Sequence, residues 1–225
     1  MAELAHCFNS GVEASDADRL FTREELALDP VDLAQLLLGS VIEADGPDGT
    51  VGVRLVEVEA YRGADDPASH CYRGITPRNA VMWGPAGHLY VYFVYGMHFC
   101  ANIVGAQDGV AGAVLLRAGE VVSGLDVVRK RRPNARGTGE LAKGPAILTS
   151  VLRIDRAQNG VDLADQASPV RLRAGERVAP EQIRTGPRVG VAMAMDTPWR
   201  FWIDGSPAVS SYRRSGKAAR VRPAS

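Results

Sequence analysis

Lysine is nearly missing from this chain of 225 residues. Of its 26 basic residues only Lys130, Lys143 and Lys217 are lysines, and the other 23 are arginines. Amine nucleophiles for Schiff-base chemistry are therefore scarce. Cysteine is also sparse. Cys7, Cys71 and Cys100 are widely spaced and odd in number, which argues against a disulfide scaffold and for a reducing compartment. No stretch of about 18 uncharged apolar residues occurs, so no membrane-spanning helix is expected. The start, MAELAHCFNSGVEASDADRL, has no basic residues followed by an apolar block, so no secretory signal is expected. No P-loop, HExxH, CxxC pair or G-x-S-x-G elbow is present. His70 and Cys71 are adjacent, which is poor spacing for a structural zinc. GTGELA at 137–142 imitates a dinucleotide fingerprint but follows a charged loop instead of a strand, and reads as an ordinary loop-to-helix start.

A net charge is missing too, but the charges are not evenly spread. Residues 1–70 hold 4 basic and 15 acidic residues, a net of −11, and residues 71–225 hold 22 basic and 11 acidic, a net of +11. Such asymmetry is compatible with a basic face for a polyanion, or with a mixed solvated surface.

What is present reads as one mixed α/β domain. LDPVDLAQLLLGSVI has Asp29 as a helix cap, Pro30 in the first turn and Gly39 as the stop, with Val31, Leu33, Leu36, Leu37 and Leu38 on the buried side. VGVRLVEVEAY at 51–61 reads as a strand, residues 89–104 as a hairpin and 109–122 as another strand. RKRRPNARGTGE at 129–140 reads as a basic loop, and GPAILTSVLRI at 144–154 as a short helix starting at Pro145. Residues 161–174 and 188–204 have the composition of further strands.

Two stretches carry chemistry. On the 51–61 strand, alternation puts Val53, Leu55, Glu57, Glu59 and Tyr61 on one face. An apolar face that turns acidic at its end is a strand entering a cleft or solvent. Two carboxylates there either pair with surface arginines, or one is pushed toward a base by burial and repulsion. The spacing alone does not choose between Glu57 and Glu59. In LYVYFVYGMHFCANIV, residues 89–104, three tyrosines lead into a Gly-Met tip, and Asn102 is polar within an apolar return strand. Leu89, Val91, Phe93 and Val94 are expected to pack, with Tyr90 and Tyr92 on one face. Cys100 and His98 share a face, but cysteine is most often a buried hydrophobe.

Taken together, VEVEAYRGADDPASHCYRGITPRNAVMWGPAGHLYVYFVYGMHFCANIV resembles the alkyladenine (3-methyladenine) DNA glycosylase family, mammalian type. AVLLRAGE, KGPAIL, RVGV and GSPAVS extend the resemblance, in order, across residues 25–210. It implies an α+β domain at 21–210 with a curved antiparallel sheet, a protruding β-hairpin and surrounding short helices. Residues 1–20 are then a flexible start and 211–225 a basic flexible tail. The implied activity is monofunctional excision of alkylated or deaminated purines from duplex DNA, leaving an abasic site. The target base lies inside the stack and must be flipped out.

Glu59 matches the water-activating carboxylate. Tyr61, His70 and Tyr92 match residues that contact the flipped base, and Asn102 the one that excludes guanine. Tyr95 matches the side chain that fills the gap in the duplex, with Met97 beside it. Thr76, Arg78 and Gly144 fall in segments that contact the DNA backbone, Arg117 at a position that holds the flipped nucleotide, and Val189 and Gly190 near the target phosphate. His98 departs from the pattern, which has a tyrosine after Met97. The resemblance implies no metal or other cofactor, damaged duplex DNA as the partner, a monomer, and a cytoplasmic, nucleoid-associated location in a prokaryote. Two other readings are a non-catalytic damage binder on the same fold and a small-molecule hydrolase using Glu57 and Glu59.

Overall fold

The computed structural model describes residues 16–215 with the exception of Tyr95. Chain order begins with helix α1 at Arg23–Leu26 and α2 at Pro30–Leu37, then strands β1 at Val41–Ala44 and β2 at Val51–Tyr61. The hairpin strands β3, Leu89–Val94, and β4, His98–Val104, lead to β5 at Ala113–Ser123. Helix α3 at Leu125–Arg131, strand β6 at Ala142–Lys143 and helix α4 at Pro145–Leu152 follow. Strands β7, Val170–Arg173, β8, Ile183–Gly186, and β9, Arg200–Ile203, complete the described elements.

Local chemistry sets several of these boundaries. The Asp29 carboxylate accepts from the Val31 N–H at 2.9 Å, Pro30 opens α2, and Gly39 sits at φ +87° just past its end. Leu33, Leu37 and Leu38 are buried as expected, Val31 and Leu36 pack partly, and Ala34 joins the buried side.

The strands form an open antiparallel sheet in the order β3-β4-β5-β2-β1-β7. The long β2 is paired on both sides throughout much of its length. Its first half lies against β1, its second half against β9, and β5 runs along its other side. An α+β domain with an antiparallel sheet, a hairpin with an exposed tip and short helices is therefore what the chain adopts.

Period-2 alternation then splits β3, β4, β5 and the end of β2 into two faces. Val53 and Leu55, expected beside Glu57 and Glu59, join the main core instead, because the register of β2 on β5 shifts on either side of Glu57. Leu89, Val91, Ala101, Ile103, Val114, Leu116, Val58 and Ala60 enter the main hydrophobic core, with Leu33 and Leu37 of α2 and Leu148 and Val151 of α4. Tyr90, Tyr92, Val94, His98, Cys100, Asn102, Leu115, Arg117, Glu59 and Tyr61 have the opposite parity. That second face holds the site described below.

Four further expectations need correction. Residues 129–131 belong to α3 instead of a loop, because Val128 of that helix is fully buried and anchors a turn against the core. Within 161–174 only β7 is a strand, because Asp162 and Asp165 cap turns on Ala164 and Ala167. Within 188–204 only β9 is a strand, and β8 is an unforeseen partner for it. Phe93 is exposed on the hairpin, tilted against Phe99 at 5.0 Å. Described contacts are also made outside 21–210. Leu20 bridges Arg173, and the Arg213 carbonyl accepts from the Gly190 N–H.

Candidate active site

A cavity of about 660 Å³ opens on the second face of the sheet. Tyr61, His70, Tyr92 and Asn102 all line it, as do Arg78, Arg117, Val189 and Gly190. Four strands and two loops separated by over a hundred residues thus bring together most of the expected positions. One wall is aromatic. His70 meets Tyr92 edge-on at 4.5 Å, and Tyr90 stacks on Tyr92 at 5.6 Å. Sequence reasoning assigns Tyr90 no role, although its alternation with Tyr92 is the available signal. Its hydroxyl lies 3.0 Å from His70 Nδ1 and fixes the ring. Burial first, and then the charge of Arg78, hold His70 below its ordinary pKa of 6.5, so the imidazole is neutral at neutral pH. Asn102 Nδ2 donates to the Tyr90 carbonyl at 3.1 Å, which locks its amide from behind. Burial pushes the Cys100 thiol up, so no thiolate faces the cavity.

The two carboxylates of β2 differ in a way that the strand pattern hides. Both are completely buried. Glu57 Oε1 accepts from Arg117 Nε at 2.9 Å, Ser210 Oγ at 2.9 Å and Arg200 Nη1 at 3.2 Å, and its Oε2 accepts from the Ser210 N–H at 2.7 Å. Four donors therefore converge on Glu57, three of them on Oε1. Glu59 has three partners: the Val189 N–H at 2.7 Å and Arg117 Nη1 at 3.3 Å on Oε1, and the Tyr61 hydroxyl at 2.9 Å on Oε2. One acceptor site remains on Oε2. All three groups that hold Glu59 line the cavity, whereas Arg200 and Ser210 on Glu57 do not. Burial, with a smaller push from Glu57, raises the Glu59 pKa, while Arg117, the Val189 N–H and the Tyr61 hydroxyl oppose it. Glu57 is held by groups outside the cavity as well as by Arg117, whereas Glu59 lies directly behind the cavity wall, held only by groups that line it.

Ser210, invisible to the strand pattern, joins the segment after β9 to this cluster. Its Oγ also accepts from Arg117 Nη2 at 3.1 Å. Hydrogen bonds to charged groups contribute about 1.5–3 kcal/mol each. Ser210→Ala should therefore lower the melting temperature by about 3–12 °C, at about 2–4 °C per kcal/mol for a chain of this size. Ser210→Thr keeps the hydroxyl and should melt close to the parent in a calorimetric scan.

Behind the aromatic wall lies a second buried pair. Arg188 and Asp66 have no exposed side-chain surface, and the guanidinium donates to Asp66 at 2.5 and 2.9 Å and to the Ala60 carbonyl at 2.9 Å. The same guanidinium lies over Tyr61 at 4.6 Å and Trp199 at 5.2 Å. Arg188 therefore backs the Tyr61 ring of the cavity wall and precedes Val189, whose N–H reaches Glu59.

A family model, described as methylpurine-DNA glycosylase, matches residues 24–207, which contain every group described above except Ser210. The chain belongs to the methylpurine-DNA glycosylase family. Membership places it among DNA repair glycosylases, hydrolases of N-glycosyl bonds. Three curated relatives carry the name "Putative 3-methyladenine DNA glycosylase". The relative from Nocardia farcinica is 54% identical over 200 residues, covering 87% of this chain and 92% of its own. That from Streptomyces avermitilis is 52% identical, covering 85% and 91%. That from Rhodococcus jostii is 52% identical, covering 93% and 94%.

Met97 is 69% exposed at the hairpin tip, and Tyr95 lies outside the described residues. Thr76 is exposed in a turn where its N–H donates to Asn79 Oδ1 at 2.6 Å. Arg78 lies over Tyr92 at 5.7 Å. Gly144 opens α4 beside the cavity at φ +103°, and a Cβ there would meet nothing within 4 Å. Arg117 is engaged by Glu57, Glu59 and Ser210. Among the described residues no three His, Cys, Asp or Glu side chains are grouped to hold a metal, and no helix is long and apolar enough to cross a membrane.

Proposed function

We propose that this glycosylase is monofunctional and excises alkylated or deaminated purines, such as 3-methyladenine, 7-methylguanine, hypoxanthine and ethenoadenine, from duplex DNA. The observation that carries the reading is Glu59, buried with one acceptor site left, held by three groups that line an aromatic cavity. The target purine is flipped out of the stack and enters between Tyr61, His70 and Tyr92. A cationic alkylated base gains about 0.5–2 kcal/mol over such rings. Water then attacks the deoxyribose C1′ as the N-glycosidic bond breaks. The bonding pair leaves with the base, and the water proton passes to Glu59. Ionised Glu59 also stabilises the cationic character that develops on the sugar. A purine alkylated at N3 or N7 already carries positive charge and departs neutral, so its release needs no acid. Hypoxanthine and ethenoadenine must first take up a proton from elsewhere, at N7 for hypoxanthine, to depart neutral. Asn102, buried with its amide fixed by Tyr90, is the selectivity contact. Tyr95 and Met97 fill the gap that the flipped base leaves in the duplex.

Duplex oligonucleotides carrying hypoxanthine, ethenoadenine or 3-methyladenine should lose the modified base and acquire an alkali-labile abasic site, with the undamaged duplex intact. Binding without base release across that panel would support a non-catalytic damage binder. DNA affinity that does not fall with salt would support a small-molecule hydrolase.

Strand cleavage through an enzyme imine is not expected. Lys143, the nearest lysine in sequence to the cavity wall, has its Nζ on the Pro207 carbonyl at 2.8 Å. Borohydride added during turnover should trap no covalent protein–DNA adduct, as read by denaturing gel. The protein is expected to act as a monomer without a cofactor.

A further inference from the structure

The basic stretch RKRRPNARGTGE contributes nothing to the base pocket. Its members divide sharply. Arg131 turns inward onto Asp48 and the Val151 carbonyl. Arg129, Arg132 and Arg136 instead line a separate cavity of about 180 Å³, with Gly137, Thr138 and Leu141. Among the described residues none of these three guanidiniums has a carboxylate partner. Arg132 Nε is buried without a hydrogen bond. Arg54, Arg171, Arg188 and Arg200 also have an unsatisfied buried Nε, but each places another guanidinium nitrogen on a carboxylate. Arg132 does not.

Three like charges around one small cavity repel one another. The ordinary explanation is complementarity to the C-terminus of α3, where Arg129 lies in the last turn. A helix end supplies only about half a negative charge, well short of three guanidiniums. The guanidinium fork matches phosphate oxygens in a way that a lone ammonium does not. Position adds a second argument. Leu141 lines the arginine cavity and Pro145 lines the base cavity. Four residues of chain reach at most about 14 Å. Phosphates recur about every 3.4 Å of duplex axis along one strand, so the nearest walls of the two cavities, at Leu141 and Pro145, are within about four base steps.

We propose that the Arg129–Arg132–Arg136 cavity is a second phosphodiester-binding site, which holds the DNA backbone a few nucleotides from the flipped base. The proposal rests on the DNA-glycosylase reading above and extends its footprint.

The test is fluorescence anisotropy of a lesion-bearing duplex against salt, with the wild type and an R129Q/R132Q/R136Q variant. Because Arg132 is partly buried, an R129Q/R136Q variant of two exposed residues is measured beside it. The slope of log affinity against log salt should become shallower by about 0.9 for each phosphate no longer neutralised, and so by about 1–3 in the triple variant. Identical slopes in all three proteins would overturn the proposal. Calorimetric titration with inorganic phosphate alone separates the other source of this chemistry. Phosphate binding that the triple variant loses, with an unchanged DNA slope, would make the cavity a free-anion site and also overturn it. Base release by the wild type on the same duplex is scored separately, so failure of the glycosylase reading is distinguishable.

Discussion

Glu59→Gln should lower single-turnover base release by about 10²–10⁴-fold, the usual contribution of a positioned general base. The amide oxygen can still accept from Val189, so duplex binding should persist. Stability makes this result informative. Complete burial outweighs the three donors and raises the folded-state pKa of Glu59. Stability linked to such a group is fully present below the unfolded value and is lost as pH rises through the folded one. Keeping Glu59 ionised at neutral pH therefore costs stability, and a neutral amide escapes that cost. The variant should melt at or above the wild type near neutral pH. The difference should vanish below the ordinary carboxylate pKa of 4.5. Wild-type activity should show an acid limb above that same value, because the base form is the working form, and the variant's residual rate should lack it. A variant that keeps base release within a few-fold of wild type would refute the assignment of Glu59.

Elements whose boundaries are set by local chemistry are legible in the sequence. β2 runs over the expected 51–61, and the Asp29 cap, Pro30 and Gly39 delimit α2 as anticipated. These signals act within a turn or along one strand. The failures share a different cause. RVGVAMAM alternates like a strand, but Gly190 at φ +73° and Ala194 at φ +47° bend it away from the sheet. Its first free N–H is spent on Glu59 instead of a ladder. A tertiary requirement at the site overrides local propensity, a conflict expected where function constrains the backbone.

The site divides the same way. The tyrosine alternation on β3 and the acidic end of β2 mark the right face. The choice between Glu57 and Glu59 depends on Arg200 and Ser210, which are 143 and 153 residues from Glu57. No spacing rule reaches that far. The family resemblance points to Glu59, and the proposed role rests on the fact that the three groups holding it all line the cavity. Asp66 escapes notice for the same reason, as one of two ordinary loop aspartates until Arg188 arrives 122 residues later.

That pair supports the largest expected effect on folding. Asp66→Asn leaves the Arg188 guanidinium buried and without its counter-charge, and breaking such a pair costs about 3–5 kcal/mol. The melting temperature should fall by about 6–20 °C. Stability and positioning can then be separated with a second substitution. Replacing a buried ion pair by well-packed apolar residues of similar volume is often neutral, and an asparagine amide oxygen can still accept from the Ala68 N–H, so Asp66→Asn with Arg188→Met should regain part of the lost melting temperature. Base release should not return with it. Arg188 is the cation over Tyr61, it holds the Ala60 carbonyl, and it precedes the residue whose N–H orients Glu59. Methionine fills the volume but supplies none of those contacts. If activity returned along with stability, Arg188 would be only a packing element. If stability returned and activity did not, the pair sets the position of Tyr61 and of the Glu59 carboxylate.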